Sequence, residues 1–411
     1  MKEQPSRSGS VQELVYVLKS SDARTQAYLL IELSNYLPQD IKRETLQRAI
    51  AATNAIQHGS DRLDALKRLA PRLLPHLLPQ VLSMGKAMPS EIDRTRALQV
   101  LAPMLPRNLL LEALSIAREQ DSEYCRSIAL SALIDWLPKM LKTEVSLEAL
   151  AAARSIQSRE SSSCTYYVRA LGAVASSLSS ELHAEVLQEA LKVARAMDDR
   201  NGCRATALAN LAPKLPKALR QDVLQEALHT VTAEGKRCAN AEALSVLVPE
   251  LPAHLLPAAL NLAMNIQPGG DRALALIALA IKLPELIPEA FAAVKSTRSE
   301  CTRALSLKTL APKLPPELLL EAVSITNSFR SERDRITTLI ALGSPLSKMP
   351  RRKLFPLWQT ILRSLSSHPQ QDFAHSVLAL SAIVHALGGQ KAVVETIVSI
   401  AGGRVRVLGD Y

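Results

Sequence analysis

Seven arginines recur at one stage of the chain: Arg62, Arg94, Arg126, Arg204, Arg272, Arg303 and Arg335. An acid stands directly before some of them, as Asp61, Asp93, Asp271 and Asp334, or three residues before, as Glu123 and Glu300. A regular row of guanidiniums can do two things. It can track phosphates, with counterion release supplying the affinity. It can also bridge neighbouring units by charge-assisted hydrogen bonds, with the Asp as a helix N-cap. An arginine at a helix N-terminus opposes the macrodipole, so its presence needs a reason. Regular repetition is what a stacking contact demands, which favours a structural ladder.

Other reactive side chains do not converge on a site. Cys125, Cys164, Cys203, Cys238 and Cys301 share one stage of the pattern, just before a helix. They read as small residues filling a loop position, because metal ligands must gather in one place. The eight histidines are scattered. The chain has no H-E-x-x-H, no G-x-S-x-G elbow, no Walker lysine loop and no G-x-G-x-x-G. Glu112, Glu189, Glu226 and Glu321 repeat beside leucines and read as a solvated face rather than as catalytic carboxylates. The expectation is a non-enzyme with no catalytic residue, no metal and no cofactor.

The elements behind these rows are repeats. The phrase LAPMLP at 101–106 returns as LAPKLP at 211–216, LVPELP at 247–252 and LAPKLP at 310–315. Counting from the slot of the final proline, ten repeats have slots at 38, 74, 106, 138, 179, 216, 252, 284, 315 and 347. A leucine stands eight before every slot, from Leu30 to Leu339, and another one before it, from Leu37 to Leu346. Five before the slot is Leu in nine repeats and Val174 in the tenth, and four before it is mostly a small residue. This i, i+3, i+4, i+7 stripe predicts a helix A. The Ala-Pro step ends or kinks it, and the slot proline suits the first turn of a helix B. Neither helix is long enough to be stable alone, so each relies on its neighbours.

The spacing supports this reading. From the slot to the key apolar residue of helix B there are 8 residues in some repeats, as 106 to Leu114, and 12 in others, as 138 to Leu150. A difference of one helical turn keeps the stripe on its face. The predicted fold is all-α, a right-handed α-solenoid of about ten two-helix repeats with a helical C-terminal cap. Its divisions are a disordered 1–10, the array at 11–365, the cap at 366–401 and a tail at 402–411. Ser10 and Glu13 form a capping box, and Leu14 marks a lone helix B at the start. The cap is expected as two helices, Phe373 to Leu387 and Lys391 to Ala401, parted by Gly388-Gly389.

Two places break the pattern. The stretch Gln157 to Tyr167 carries extra residues including Tyr166 and Tyr167, and insertions in solenoids map to loops. Arg351, Arg352 and Lys353 form the densest basic patch, within a segment, 301–411, that holds 14 basic and 7 acidic side chains. The net charge is +10, which suits an acidic partner or serves solubility. Both places are candidate interaction sites. No apolar run is long enough to span a bilayer and the N-terminus lacks a signal core, so membrane insertion is not expected and a cytoplasmic location is.

The pattern DR-x-A-L-x-x-L-A-P-x-L-P followed by EAL-x-x-A-R resembles the helical repeats in the C-terminal sensor region of bacterial STAND NTPases, the NACHT and NB-ARC class. Residues 377–401 resemble the end of such arrays. Family members commonly close with Gly-Arg-Trp-Trp, whereas here Gly403-Arg404 is followed by Val405-Arg406. The resemblance implies a HEAT- or TPR-like sensor module without its NTPase domain, and so a protein partner. A nucleic-acid-binding array using the arginine row and the basic C-terminal region is the alternative. Scarce aromatics weigh against it, since single-strand binders offer stacking platforms.

Overall fold

The computed structural model describes residues 18, 21–156, 161–197, 203–233 and 237–401, without the side chains of 161–163, 232–233 and 237–240. Among these residues there are 22 α-helices, short 3-10 turns and no strand. The helices form ten pairs of a helix A and a helix B. The first four pairs are α1 (Ala23–Leu33) with α2 (Gln39–Ala55), α3 (Gly59–Leu69) with α4 (Leu78–Lys86), α5 (Glu91–Leu101) with α6 (Arg107–Arg118), and α7 (Glu123–Ile134) with α8 (Lys139–Arg154). Next come α9 (Ser161–Ala175) with α10 (Ser180–Ala196), α11 (Cys203–Leu211) with α12 (Lys217–Ala233), and α13 (Arg237–Leu247) with α14 (Leu256–Asn265). The last pairs are α15 (Gly270–Ala280) with α16 (Ile287–Ser296), α17 (Glu300–Leu310) with α18 (Pro316–Asn327), and α19 (Glu332–Ser347) with α20 (Arg351–Leu365). The cap is α21 (Gln370–Ala379) and α22 (Ser381–Ala401).

The core follows the leucine stripe. The leucines eight before the slot, from Leu30 to Leu339, are all buried, as are the residues five before it, from Leu33 to Leu342. Leu73, Leu178 and Leu283, one before their slots, are only half-buried. Leu105 and Leu114 are buried with Leu98 and Leu101. Helix B takes up the insertions as helix. It has 12 residues in α6 and α18, and 17, 16, 17 and 17 in α2, α8, α10 and α12.

The prolines act in two ways. At Ala70–Arg72, Ala102–Met104, Ala212–Lys214 and Ala311–Lys313, helix A tightens into a 3-10 turn with the proline at its start. The slot proline sits one residue earlier than expected. Pro106, Pro138 and Pro315 stand just outside helix B with extended backbone, φ −68°, −55° and −70°. The Pro106 carbonyl already accepts from Leu110 N at 2.9 Å, the role of a cap residue. The N-caps of helix A also differ from expectation. An aspartate caps only α1 among the described caps, Asp22 accepting from the Arg24 and Thr25 N–H groups, whereas Ser122, Ser299 and Ser331 accept from backbone N–H groups of Cys125, Thr302 and Asp334. Asp61, Asp93, Asp271 and Asp334 fall inside the first turn, where an acid offsets the positive helix pole. Cys125, Cys164, Cys203 and Cys301 likewise lie in helix A and not in the loop before it.

By its internal contacts the chain divides into two units, residues 1–77 with 297–411, and residues 78–296. In the second unit, each helix A packs on its own helix B, and α5, α7, α9, α11 and α13 each pack on the next helix A. In the first, stacking is not confined to sequence neighbours, as the repeat pattern had implied. Here α1 packs on α21 and α19. The reason is apolar surface on both segments: Leu33 of α1 lines one crevice with Val377 and Leu378 of α21. The cap is also more broken than expected. A 75° bend separates α21 from α22, and Gly389, at φ +68°, interrupts α22 itself. Among the described residues no single helix is long and apolar enough to cross a membrane. The Ser10–Glu13 box, Leu14, residues 157–160, the Cys238 side chain and the tail 402–411 lie outside the described residues.

Candidate interaction surfaces

The arginine row has a common posture. Arg62 donates to the Ile56 carbonyl at 3.0 and 2.6 Å, Arg94 to Met88 at 2.8 Å and Arg126 to Gln120 at 3.0 and 2.9 Å. Arg272 reaches Ile266 at 2.6 Å, Arg303 reaches Thr297 at 3.4 Å and Arg335 reaches Phe329 at 3.1 Å. In all six the acceptor lies six residues back, where the preceding helix B ends. Each guanidinium thus sits on the negative pole of the helix before its own. Arg204 differs and binds Glu226 of its own repeat at 3.1 Å. Acids at the start of helix A face forward. Glu91 accepts from the Asp121 and Ser122 N–H groups at 2.8 and 3.0 Å, and Glu300 from Ser331 N at 2.8 Å.

A second row joins consecutive helices B. Arg118 of α6 binds Glu144 and Glu148 of α8 at 3.1 and 2.9 Å. Arg154 of α8 binds Glu185 and Glu189 of α10 at 2.8 and 2.9 Å, and Arg195 of α10 binds Glu226 of α12 at 2.9 Å. Burial pushes the Glu226 carboxyl up, but its bonds to Arg195 and Arg204 hold it below the usual carboxylate range. Of the acids read as a solvated face, Glu189 and Glu226 are therefore partners in a ladder. Its signal is the phrase EAL-x-x-A-R, in which the Arg of one repeat meets the Glu of the next.

The two tyrosines of the irregular stretch lie on α9, not on a loop. The Tyr166 ring packs on Tyr124 of α7, centroids 4.6 Å apart. Tyr167 donates its hydroxyl to Glu189, and burial together with that bond pushes its phenol up to about 12. Arg351, Arg352 and Lys353 are exposed in the first turn of α20, which holds no acid.

Two further arrangements carry no local sequence signal. In the second unit, Trp136, Met140, Leu147 and Leu111 are exposed. Met140 and Leu147 are seven apart on α8 and so share a face, and Trp136 precedes them in the turn before that helix. Leu111 and Leu147 hold equivalent slots on helices that Arg118 joins. In the first unit, Asp61 of α3 binds Arg24 of α1 and Arg333 of α19, the latter at 2.7 Å. Asp64 accepts from Tyr28 at 2.8 Å, Arg68 at 3.3 Å and Lys308 of α17 at 3.4 Å. Burial would raise the Asp64 carboxyl, but Arg68 and Lys308 hold it below its ordinary value. The Lys308 amine is pushed down by burial and by Arg68, and Asp64 offsets part of that. Among the described residues no group of His, Cys, Asp and Glu could hold a metal ion.

No protein-family model and no curated protein sequence matches the chain. Among solved structures the chain is similar to one from the study of Kap95p binding to RanGDP, at 12% identity and TM-score 0.39, covering 95% of this chain and 59% of that one. It is similar to Kap121p bound to Nup53p at 12% identity and TM-score 0.40, covering 99% and 57%. It is similar to the karyopherin Kap121p bound to the SUMO protease Ulp1p at 13% identity and TM-score 0.39, covering 99% and 57%. The chain spans under two thirds of the length of these structures.

Proposed function

We propose that the chain is a non-catalytic helical-repeat scaffold that binds a second protein across helices α6 and α8. The observation that carries this reading is the exposed strip of Trp136, Met140, Leu147 and Leu111. The chain has two tryptophans; Trp358 is fully buried, whereas Trp136 is 48% exposed. Trp and Met are enriched in protein interfaces, and a few large apolar anchors dominate their energetics. The ion pairs of Arg118 with Glu144 and Glu148 flank Leu147, as a polar rim flanks an apolar centre. The resemblance to STAND sensor arrays directs the search for the partner toward an NTPase.

A nucleic-acid reading draws on Arg351, Arg352 and Lys353, whose side chains make no ion pair or hydrogen bond among the described residues. The arginine row does not add to it, because helix-end carbonyls and Glu226 occupy those guanidiniums. The test is affinity purification from the native host at about 0.15 M salt, with proteins and nucleic acids both identified. Trp136→Ala with Met140→Ala and Leu147→Ala should lose a partner that the Arg351→Ala, Arg352→Ala, Lys353→Ala variant keeps. Equal capture by both variants, or capture of nucleic acid alone, overturns the proposal.

A further inference from the structure

In the first unit, residues near the start of the chain meet residues near its end. Helices α1 and α3 come from one segment, and α17, α19 and α21 from the other. The seam between the segments has an ionic edge and an apolar interior. At the edge, Asp61 takes one cation from its own segment, Arg24, and one from across the seam, Arg333 at 2.7 Å. Asp64 is built the same way. Tyr28 and Arg68 come from its own segment, and Lys308 crosses the seam at 3.4 Å.

The two kinds of cation differ in exposure. The side chains of Arg24 and Arg68 are 18% and 20% exposed, whereas those of Arg333 and Lys308 are 43% and 31% exposed. Added salt screens the more exposed pairs first. Separation of the segments also leaves no buried charge alone. Asp61 keeps Arg24, Asp64 keeps Tyr28 and Arg68, and the crossing cations pass into water. The usual penalty for breaking a buried ion pair comes from an orphaned charge, which this arrangement avoids.

The interior holds a crevice too narrow for water, lined by Leu33 of the first segment and by Val377, Leu378, Ser381, Val384 and Val393 of the other. The buried hydroxyls of Ser381, on the crevice lining, and of Ser376, on α21, have no hydrogen-bond partner among the described residues. Each such orphan weakens the packed state. Across the seam, Tyr36 meets His385 of the cap in a tilted ring contact, centroids 5.2 Å apart.

We propose that this seam is a reversible, salt-sensitive clasp: the crossing pairs Asp61–Arg333 and Asp64–Lys308 hold the first repeats against the last, and their release frees α1 from α19 and α21 while both segments stay folded.

Hydrogen exchange on the intact chain tests this. Raising salt from about 0.1 M to about 1 M shortens the screening length from about 10 to 3 Å. Exchange in 23–33 and 370–379 should then rise tenfold or more, while 123–134 and 139–154 stay protected. Lys308→Glu should give the same exposure at low salt, whereas Lys308→Arg, which keeps the crossing charge, should not. Salt-independent exchange at both helices overturns the clasp, as does equal exposure in Lys308→Arg and Lys308→Glu. If Lys308→Glu instead exposes the reference helices as well, the salt series on the unaltered chain decides.

Discussion

Removing Asp372 should loosen the cap and little else. Arg335 is 2% exposed and its guanidinium has two partners, the Phe329 carbonyl at 3.1 Å and the Asp372 carboxylate at 2.7 Å. Its Nε already lacks a partner. Asp372→Ala therefore leaves a buried cation with a single neutral acceptor. Breaking a buried pair from one side costs about 3–5 kcal/mol, and the 29% exposure of Asp372 lets water replace part of the loss. The expected cost is about 2–4 kcal/mol, or roughly 30- to 700-fold faster opening of α21. Because the chain has two units, one global unfolding midpoint would blur this effect, so the assay is hydrogen exchange resolved to residues 370–401. Arg335→Met with Asp372→Leu should restore most of the protection, since an apolar pair of similar volume is often as stable as a buried ion pair. A loss below about 1 kcal/mol in the single variant would show that the cap does not depend on this pair. A double variant no better than the single one would refute the orphaned-charge argument.

Three other outcomes follow from the geometry. Leu130→Ala, at a fully buried stripe position, should cost about 2–5 kcal/mol, and Leu283→Ala, at a half-buried one, distinctly less; equal losses in thermal unfolding would contradict the stripe as the core. Arg154→Ala removes half-exposed pairs with Glu185 and Glu189 and should cost no more than about 1 kcal/mol, falling further at high salt. Tyr167 should ionise near pH 12 in an ultraviolet titration, and Glu189→Gln should bring it down. Its raised folded value means that its stabilising contribution is complete below about pH 10 and is lost as pH rises through its folded value. A Tyr167 that titrates with ordinary tyrosines would remove the bond to Glu189.

The stripe of leucines was legible because burial at i, i+3, i+4 and i+7 is a local property of a helix. So was the four-residue extension of helix B, which appears as one more turn in α2, α8, α10 and α12. The break at Gly389 was legible for a similar reason, because φ +68° is a conformation that glycine reaches at little cost. What could not be read from spacing was which partner a repeated charge takes. The row headed by Arg62 read as a ladder between neighbouring repeats, and six of its members reach a carbonyl six residues back, at the end of the preceding repeat's helix B, while Arg204 takes Glu226 of its own repeat. Two of the acids set aside as solvated, Glu189 and Glu226, pair with arginines of the preceding repeat. Periodicity names equivalent positions, but it does not say how far a flexible side chain reaches.

Asp61 and Asp64 show the same limit across a longer distance. Within helix A each looks like an ordinary acid near a helix start, and Arg333 and Lys308 look like ordinary surface cations more than 240 residues away. Only the packing of α1 against α19 and α21 makes them a seam. Asp61 keeps the place of the repeat's recurring acid, whereas Arg24, Tyr28 and Asp64 have no counterpart in most repeats. They stand where the array ceases to be one-dimensional. A solenoid whose stability is a sum of neighbour contacts can melt from either end. Here α1 packs on α19 and α21 instead, so loss of the crossing pairs should part the two segments of the first unit while the helices of each stay folded.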